Sequence, residues 1–157
     1  VKTAAIFVDV QNIYYTTRDT FARPFNYRYF YHNVAQEYSI QAAFAYAIDK
    51  GDTQQQKFQS ALKHIGFDVK LKPFIQRQDG SAKGDWDVGI TIDIMEQAKT
   101  VDHIILLSGD GDFAILLDHI QQQHACSTAV YGVLNLTANT LIQSSDTFID
   151  IDQRWLL

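Results

Sequence analysis

Residues 103–113 read H-I-I-L-L-S-G-D-G-D-F, and this stretch constrains the fold more than any other in the chain. Ile104, Ile105, Leu106 and Leu107 form an unbroken apolar run. A run of that length closed by glycine reads as a strand covered on both faces, the habit of parallel sheets. Ser108 and Gly109 end it, Asp110 and Asp112 follow around Gly111, and residues 113–120 resume with helical periodicity. The order is therefore buried strand, acidic turn, helix. Open α/β sheets collect their chemistry at the carboxyl ends of such strands. Two carboxylates about 4 Å apart repel by roughly 4 kcal/mol at an effective dielectric near 20. A divalent cation is the usual relief.

The remaining segments fit an alternating α/β pattern. Residues 3–10 (T-A-A-I-F-V-D-V) predict a first buried strand, with Asp9 at its carboxyl end and Asn12 opening a helix. Taken alone, Asp9 is better explained as a helix cap. Residues 40–48 predict a second strand. Residues 53–65 predict a helix with Phe58, Leu62 and Ile65 inward and Thr53 as its cap. Residues 67–73 alternate as an outer strand should. Residues 74–84 read as a polar loop carrying Arg77 and Lys83, close after Lys70 and Lys72. That loop is either solvated or in contact with substrate. Residues 85–99 predict a helix capped by Asp85, with Val88, Ile92 and Met95 facing inward. Asp87 and Asp93 lie six residues apart on it, so their directions differ by about 120°. A strand at 125–133, a short helix at 137–143 and a short final strand at 148–151 complete the pattern. Residues 21–31 hold six aromatics with Arg23 and Arg28. They either pack into the core or stack bases.

At 157 residues the chain has length for one domain, 1–157, with a real core. No apolar run approaches the roughly 18 residues of a membrane span. The first residues lead straight into a strand pattern without a secretory signal, and one cysteine, Cys126, excludes an internal disulfide. Both point to a cytoplasmic protein with no membrane partner. The net charge of −5 argues against bulk adhesion to nucleic acid. If Asp9, Asp87, Asp93, Asp110 and Asp112 are set aside as one site, 13 acids face 13 bases, and basic patches elsewhere stay open.

Dinucleotide-binding, phosphate-loop and nucleophile-elbow signatures are absent, and the five histidines show no metal-ligand spacing. Cys126, between helix and strand, reads as a small buried residue. What is left is a set of carboxylates near one sheet edge. Oxygen-only ligands select Mg²⁺ or Mn²⁺ over Zn²⁺. Such sites suit phosphodiester hydrolysis, because the ion holds phosphate and activates water. A receiver or phosphatase domain is the competing acidic reading, and its defined partner set is not visible.

Four ordered motifs, D-V-Q-N at 9–12, K-G-D-W-D-V-G-I-T-I-D at 83–93, S-G-D-G-D-F at 108–113 and S-D-T-F-I-D-I at 145–151, resemble the NYN domain family. This is the LabA-like branch of the PIN-like nucleases, and the resemblance spans nearly the whole chain. It implies a three-layer Rossmann-like α/β fold with a mainly parallel sheet, in order 3-2-1-4-5. It also implies a Mg²⁺- or Mn²⁺-dependent ribonuclease acting on single-stranded RNA, with Asp9, Asp87, Asp110 and Asp112 as metal-holding catalytic residues. Asn12, Asp93, Lys83, Arg77 and Ser108 are expected to contact substrate or support the ligands. Asp85 stands one place off the family's acidic position. The alternative is an inactive regulatory module that binds RNA or a protein partner, and a homodimer stays possible in either case.

Overall fold

The computed structural model describes residues 1–73, 75–76, 82–83 and 85–157, with backbone only at 75–76 and 82–83. Arg77 and the side chain of Lys83 lie outside the described residues. In chain order the elements are β1 (Thr3–Asp9), α1 (Val10–Phe21), α2 (Tyr27–Glu37), β2 (Ser39–Asp49), α3 (Thr53–Ile65) and β3 (Asp68–Pro73). There follow β4 (Ile75–Gln76), β5 (Ala82–Lys83), α4 (Asp87–Gln97), β6 (His103–Leu107) and α5 (Ala114–Gln123). The chain closes with β7 (Ser127–Gly132), α6 (Asn139–Ser144) and β8 (Thr147–Asp150). A 3₁₀ turn, Gly111–Phe113, precedes α5.

Six strands form one sheet in the order β3-β2-β1-β6-β7-β8, and every neighbouring pair is parallel. Setting aside the antiparallel β4–β5 pair, which occupies part of the expected 74–84 loop, the order is 3-2-1-4-5-6. The expected order is therefore present, with the final short strand added at the edge. Strand order reverses between β1 and β6. Val8 pairs with Leu107, so Asp9 and Ser108 emerge side by side from that switch point.

The apolar strand runs follow from this burial on both faces. Along β1, Ala4, Ile6 and Val8 join one core with Ile13 of α1, Phe30 of α2 and Leu62 of α3. Ala5 and Phe7 point the other way and join Ile90 and Ile94 of α4, Leu117 of α5 and Leu141 of α6. The result is three layers, α1–α3, sheet, α4–α6. Among the described residues no helix is long and apolar enough to cross a membrane.

Several local expectations are corrected. Helix α4 is rotated from its expected phase: Ile90 and Ile94 are fully buried, while Val88, Ile92 and Met95 are 71%, 56% and 39% exposed. The entry residue Trp86 sets this rotation. Its ring packs 5.3 Å from that of Tyr46, and its Nε1 donates to the Ala47 carbonyl at 2.9 Å. Asp85 is not the N-cap of α4; that position is Trp86, which makes no side-chain cap bond, and Asp85 accepts from the Asp87 amide at 3.3 Å. Asp52 rather than Thr53 caps α3, accepting from the Gln55 amide at 2.7 Å. Phe58 lies at the rim of α3, against Tyr27, instead of in the core. Within residues 21–31, Phe25, Tyr27 and Phe30 are buried in edge-on and tilted ring contacts and Arg23 binds the Leu156 and Leu157 carbonyls, while Arg28 and Tyr29 stay exposed.

Candidate metal centre

Asp9 is held twice. Its Oδ1 accepts from the Asn12 amide at 3.4 Å, and its Oδ2 accepts from the Ser108 hydroxyl at 3.1 Å. The cap reading and the site reading of Asp9 are thus both satisfied by one carboxylate. Asn12 Oδ1 in turn accepts from the Gly109 amide at 2.9 Å, tying the start of α1 to the acidic turn. Ser108 is fully buried, and its Oγ also accepts from the Asp110 amide at 3.2 Å. Asp110 Oδ1 accepts from the Asp112 amide at 2.9 Å and so caps the 3₁₀ turn.

The acidic turn rests against the segment after β7. Ala138 donates its amide to the Gly109 carbonyl at 3.0 Å. A Cβ on Gly109 would sit 2.6 Å from the Leu136 carbonyl oxygen, and one on Gly111 would sit 2.8 Å from the Ala138 Cβ. Thr137 Oγ1 fills the corresponding space at Gly132. At Gly109 backbone lies where a side chain would begin, and at Gly111 and Gly132 the side chains of Ala138 and Thr137 take that space.

Asp87 opens α4 and arrives from the next segment. Carboxylate oxygens of Asp87, Asp110 and Asp112 lie within 4.8 Å of one another. Asp9 stands beside this trio, linked to Asp110 through Ser108 and through charge. The crowding raises acid constants. Burial pushes Asp9 from 3.8 up to about 6, opposed by its bonds from Asn12 and Ser108 and reinforced by the charges of Asp110 and Asp85. Burial pushes Asp87 to about 7, with the charge of Asp110 and a hydrogen bond to it next in weight. None of the ion pairs between described residues involves these four carboxylates. Three converging all-oxygen donors with uncompensated charge fit a hard divalent cation.

Asp93 is turned elsewhere. Its Oδ2 accepts from the Tyr46 hydroxyl and from Lys70 Nζ, both at 2.7 Å. It ties α4 to β2 and β3, and it engages Lys70, which the sequence placed in a basic stretch. Lys72 stands over the Trp86 ring and donates to the Asp85 carbonyl. Tyr46 is a supporting residue that sequence reasoning missed, since its only signal was aromatic character in a predicted strand.

The fold defines a doubly wound α/β domain with a carboxylate cluster at its switch point. The chain belongs to the NYN domain family, whose model matches residues 3–152. NYN domains are PIN-like nuclease domains, and such nucleases use divalent metals. The chain is 30% identical over 158 residues to "Low amplitude and bright protein LabA" of Synechococcus elongatus, covering 94% of this chain and 83% of that one. It is also similar to a crystal structure of a Vibrio parahaemolyticus protein of unknown function, with 51% identity, a TM-score of 0.94, and coverage of 99% and 96%.

Proposed function

We propose that the protein is a Mg²⁺- or Mn²⁺-dependent endoribonuclease acting on single-stranded RNA, with Asp87, Asp110 and Asp112 as the metal-holding set and Asp9 beside them. The observation that carries this reading is the convergence of carboxylates from α4 and the acidic turn at the β1–β6 switch point of an NYN domain. An ion held by Asp87, Asp110 and Asp112 would supply charge for the phosphate and would lower the pKa of a water.

The chain's own residues prepare the place. Ser108 and Asn12 lock Asp9 and the acidic turn together, so the carboxylates are set before any ligand arrives. Burial raises Asp9 to about 6 in the metal-free protein, and a divalent cation beside it would favour its ionised form again. Lys83 and Arg77 are proposed to steady the phosphate.

Labelled single-stranded RNA incubated with Mn²⁺ or Mg²⁺ should be cut, cutting should stop with EDTA, and Asp110→Asn should abolish it. Intact RNA across several sequences, with binding retained, would overturn the enzyme reading in favour of an RNA-binding module.

A further inference from the structure

We infer that the recess beside the carboxylates is a base subsite, which seats the unpaired nucleobase next to the phosphate held at the metal centre. This rests on the ribonuclease reading above. The recess is about 240 Å³ and is lined by Asp87, Val88, Thr91, Ile92, Asp112 and Phe113. Two of its residues, Asp87 and Asp112, belong to the converging carboxylate trio, so its occupant touches that centre.

The remaining wall is apolar. Phe113 is buried and forms the floor, while Val88 and Ile92 stand exposed on successive turns of α4. Thr91 spends its hydroxyl proton on the Asp87 carbonyl at 2.7 Å. The core does not need this face of the helix, because Ile90 and Ile94 already meet the sheet. Exposed aliphatic groups clustered at a cleft mark a binding surface.

Three occupants can be compared. A second copy packing α4 on α4 would bring Asp85, Asp87 and Asp112 of both molecules towards each other, which like-charge repulsion disfavours. A partner helix would lie along Val88, Ile92 and Met95, and would not use a recess smaller than an ordinary small-molecule pocket. A nucleotide alone presents both an anionic group for a cation-loaded carboxylate set and a flat apolar ring for the wall beside it. A paired base is stacked on both faces and cannot enter, so the subsite selects single strands. It offers the base faces rather than hydrogen-bond partners, so it discriminates weakly between bases.

The test uses fluorescence anisotropy with a labelled hexaribonucleotide and with versions carrying one abasic position each. Ca²⁺, which takes the same oxygen ligands, replaces Mn²⁺. One abasic position should weaken binding to the wild type roughly five- to tenfold, the scale of one or two methylene groups' worth of buried apolar contact. Ile92→Ala should weaken the intact strand by a similar factor and erase that difference. Val88→Ala gives a second variant one turn earlier on the same exposed face. The Mn²⁺-induced rise in Tm should be the same in both variants as in wild type. Equal affinity for intact and abasic strands, with the Mn²⁺ rise and RNA cleavage intact, would overturn the subsite and leave the nuclease reading standing. No Mn²⁺ response and no RNA binding in wild type would overturn both. A dimer in sedimentation that Ile92→Asp dissociates would assign the face to a second copy and overturn the subsite.

Discussion

Removing the charge of Asp9 should make the metal-free protein more stable at neutral pH and less stable in acid. The Asp9 carboxyl sits at about 6 instead of 3.8, chiefly because burial disfavours its ionised form. The folded state therefore holds a proton that the unfolded chain has already released as pH climbs past 3.8. Stability falls through the window from about 4 to 6 and stays lower above it. The full difference is about 3 kcal/mol, at 1.36 kcal/mol per pH unit. Asp9→Asn keeps an acceptor for the Asn12 amide but puts an amide nitrogen where the Ser108 hydroxyl donates, at a cost of about 1 kcal/mol. The variant should be about 2 kcal/mol more stable than wild type at pH 7.5 and about 1 kcal/mol less stable at pH 4. For a chain of this size that is roughly 4–8 °C in Tm at the upper pH. Urea unfolding in EDTA across pH 4–7.5 measures it. Parallel pH profiles for the two proteins would refute the claim that burial at the switch point holds Asp9 high.

Further outcomes follow from the same contacts. Asp110→Asn should leave Tm in EDTA unchanged or higher, and Mn²⁺ titration by thermal shift should show a smaller rise than in wild type; an equal rise would remove Asp110 from the metal set. Gly109→Ala should cost about 1–3 kcal/mol, read by urea unfolding, because its Cβ meets the Leu136 carbonyl oxygen at 2.6 Å. Tyr46→Phe should cost about 1 kcal/mol through the lost bond to Asp93 while leaving the Mn²⁺ rise intact, which separates this tie from the metal site. Arg77→Ala and Lys83→Ala should each flatten the salt dependence of RNA binding by about one unit of slope or less.

The β6 strand and its acidic turn were legible because four consecutive apolar residues admit few placements and a glycine-flanked pair of aspartates admits fewer. The place of Asp87 in the first turn of α4 was legible too. The phase of α4 was not. Val88, Ile92 and Met95 form one apolar stripe and Ile90 with Ile94 another, so periodicity alone has two solutions, and the docking of Trp86 on Ala47 and Tyr46 decides between them. The segment 21–31 was ambiguous because rings and arginines serve a core and a nucleic-acid surface equally well. Caps shifted by one residue at α3, where Asp52 and Thr53 are neighbouring candidates for the same amides, and at α4, where the docked Trp86 takes the position without a side-chain cap bond. The partner of Asp93 was invisible because it lies on two strands distant in sequence.

The glycines of the acidic turn bear on how quickly the site can load. Gly109 and Gly111 press backbone directly against residues 136–138, and Asn12 and Ser108 fasten the turn from the other side. A turn pinned on both flanks has little freedom to lose when an ion arrives. If the site takes an ion, no slow ordering of this turn would separate encounter from capture, and the ion's own release of water would be the larger barrier. Mg²⁺ dehydrates reluctantly and should enter slowly, whereas Mn²⁺ should enter faster into the same oxygens. A site of this kind answers a change in ion supply at the pace of solvent exchange.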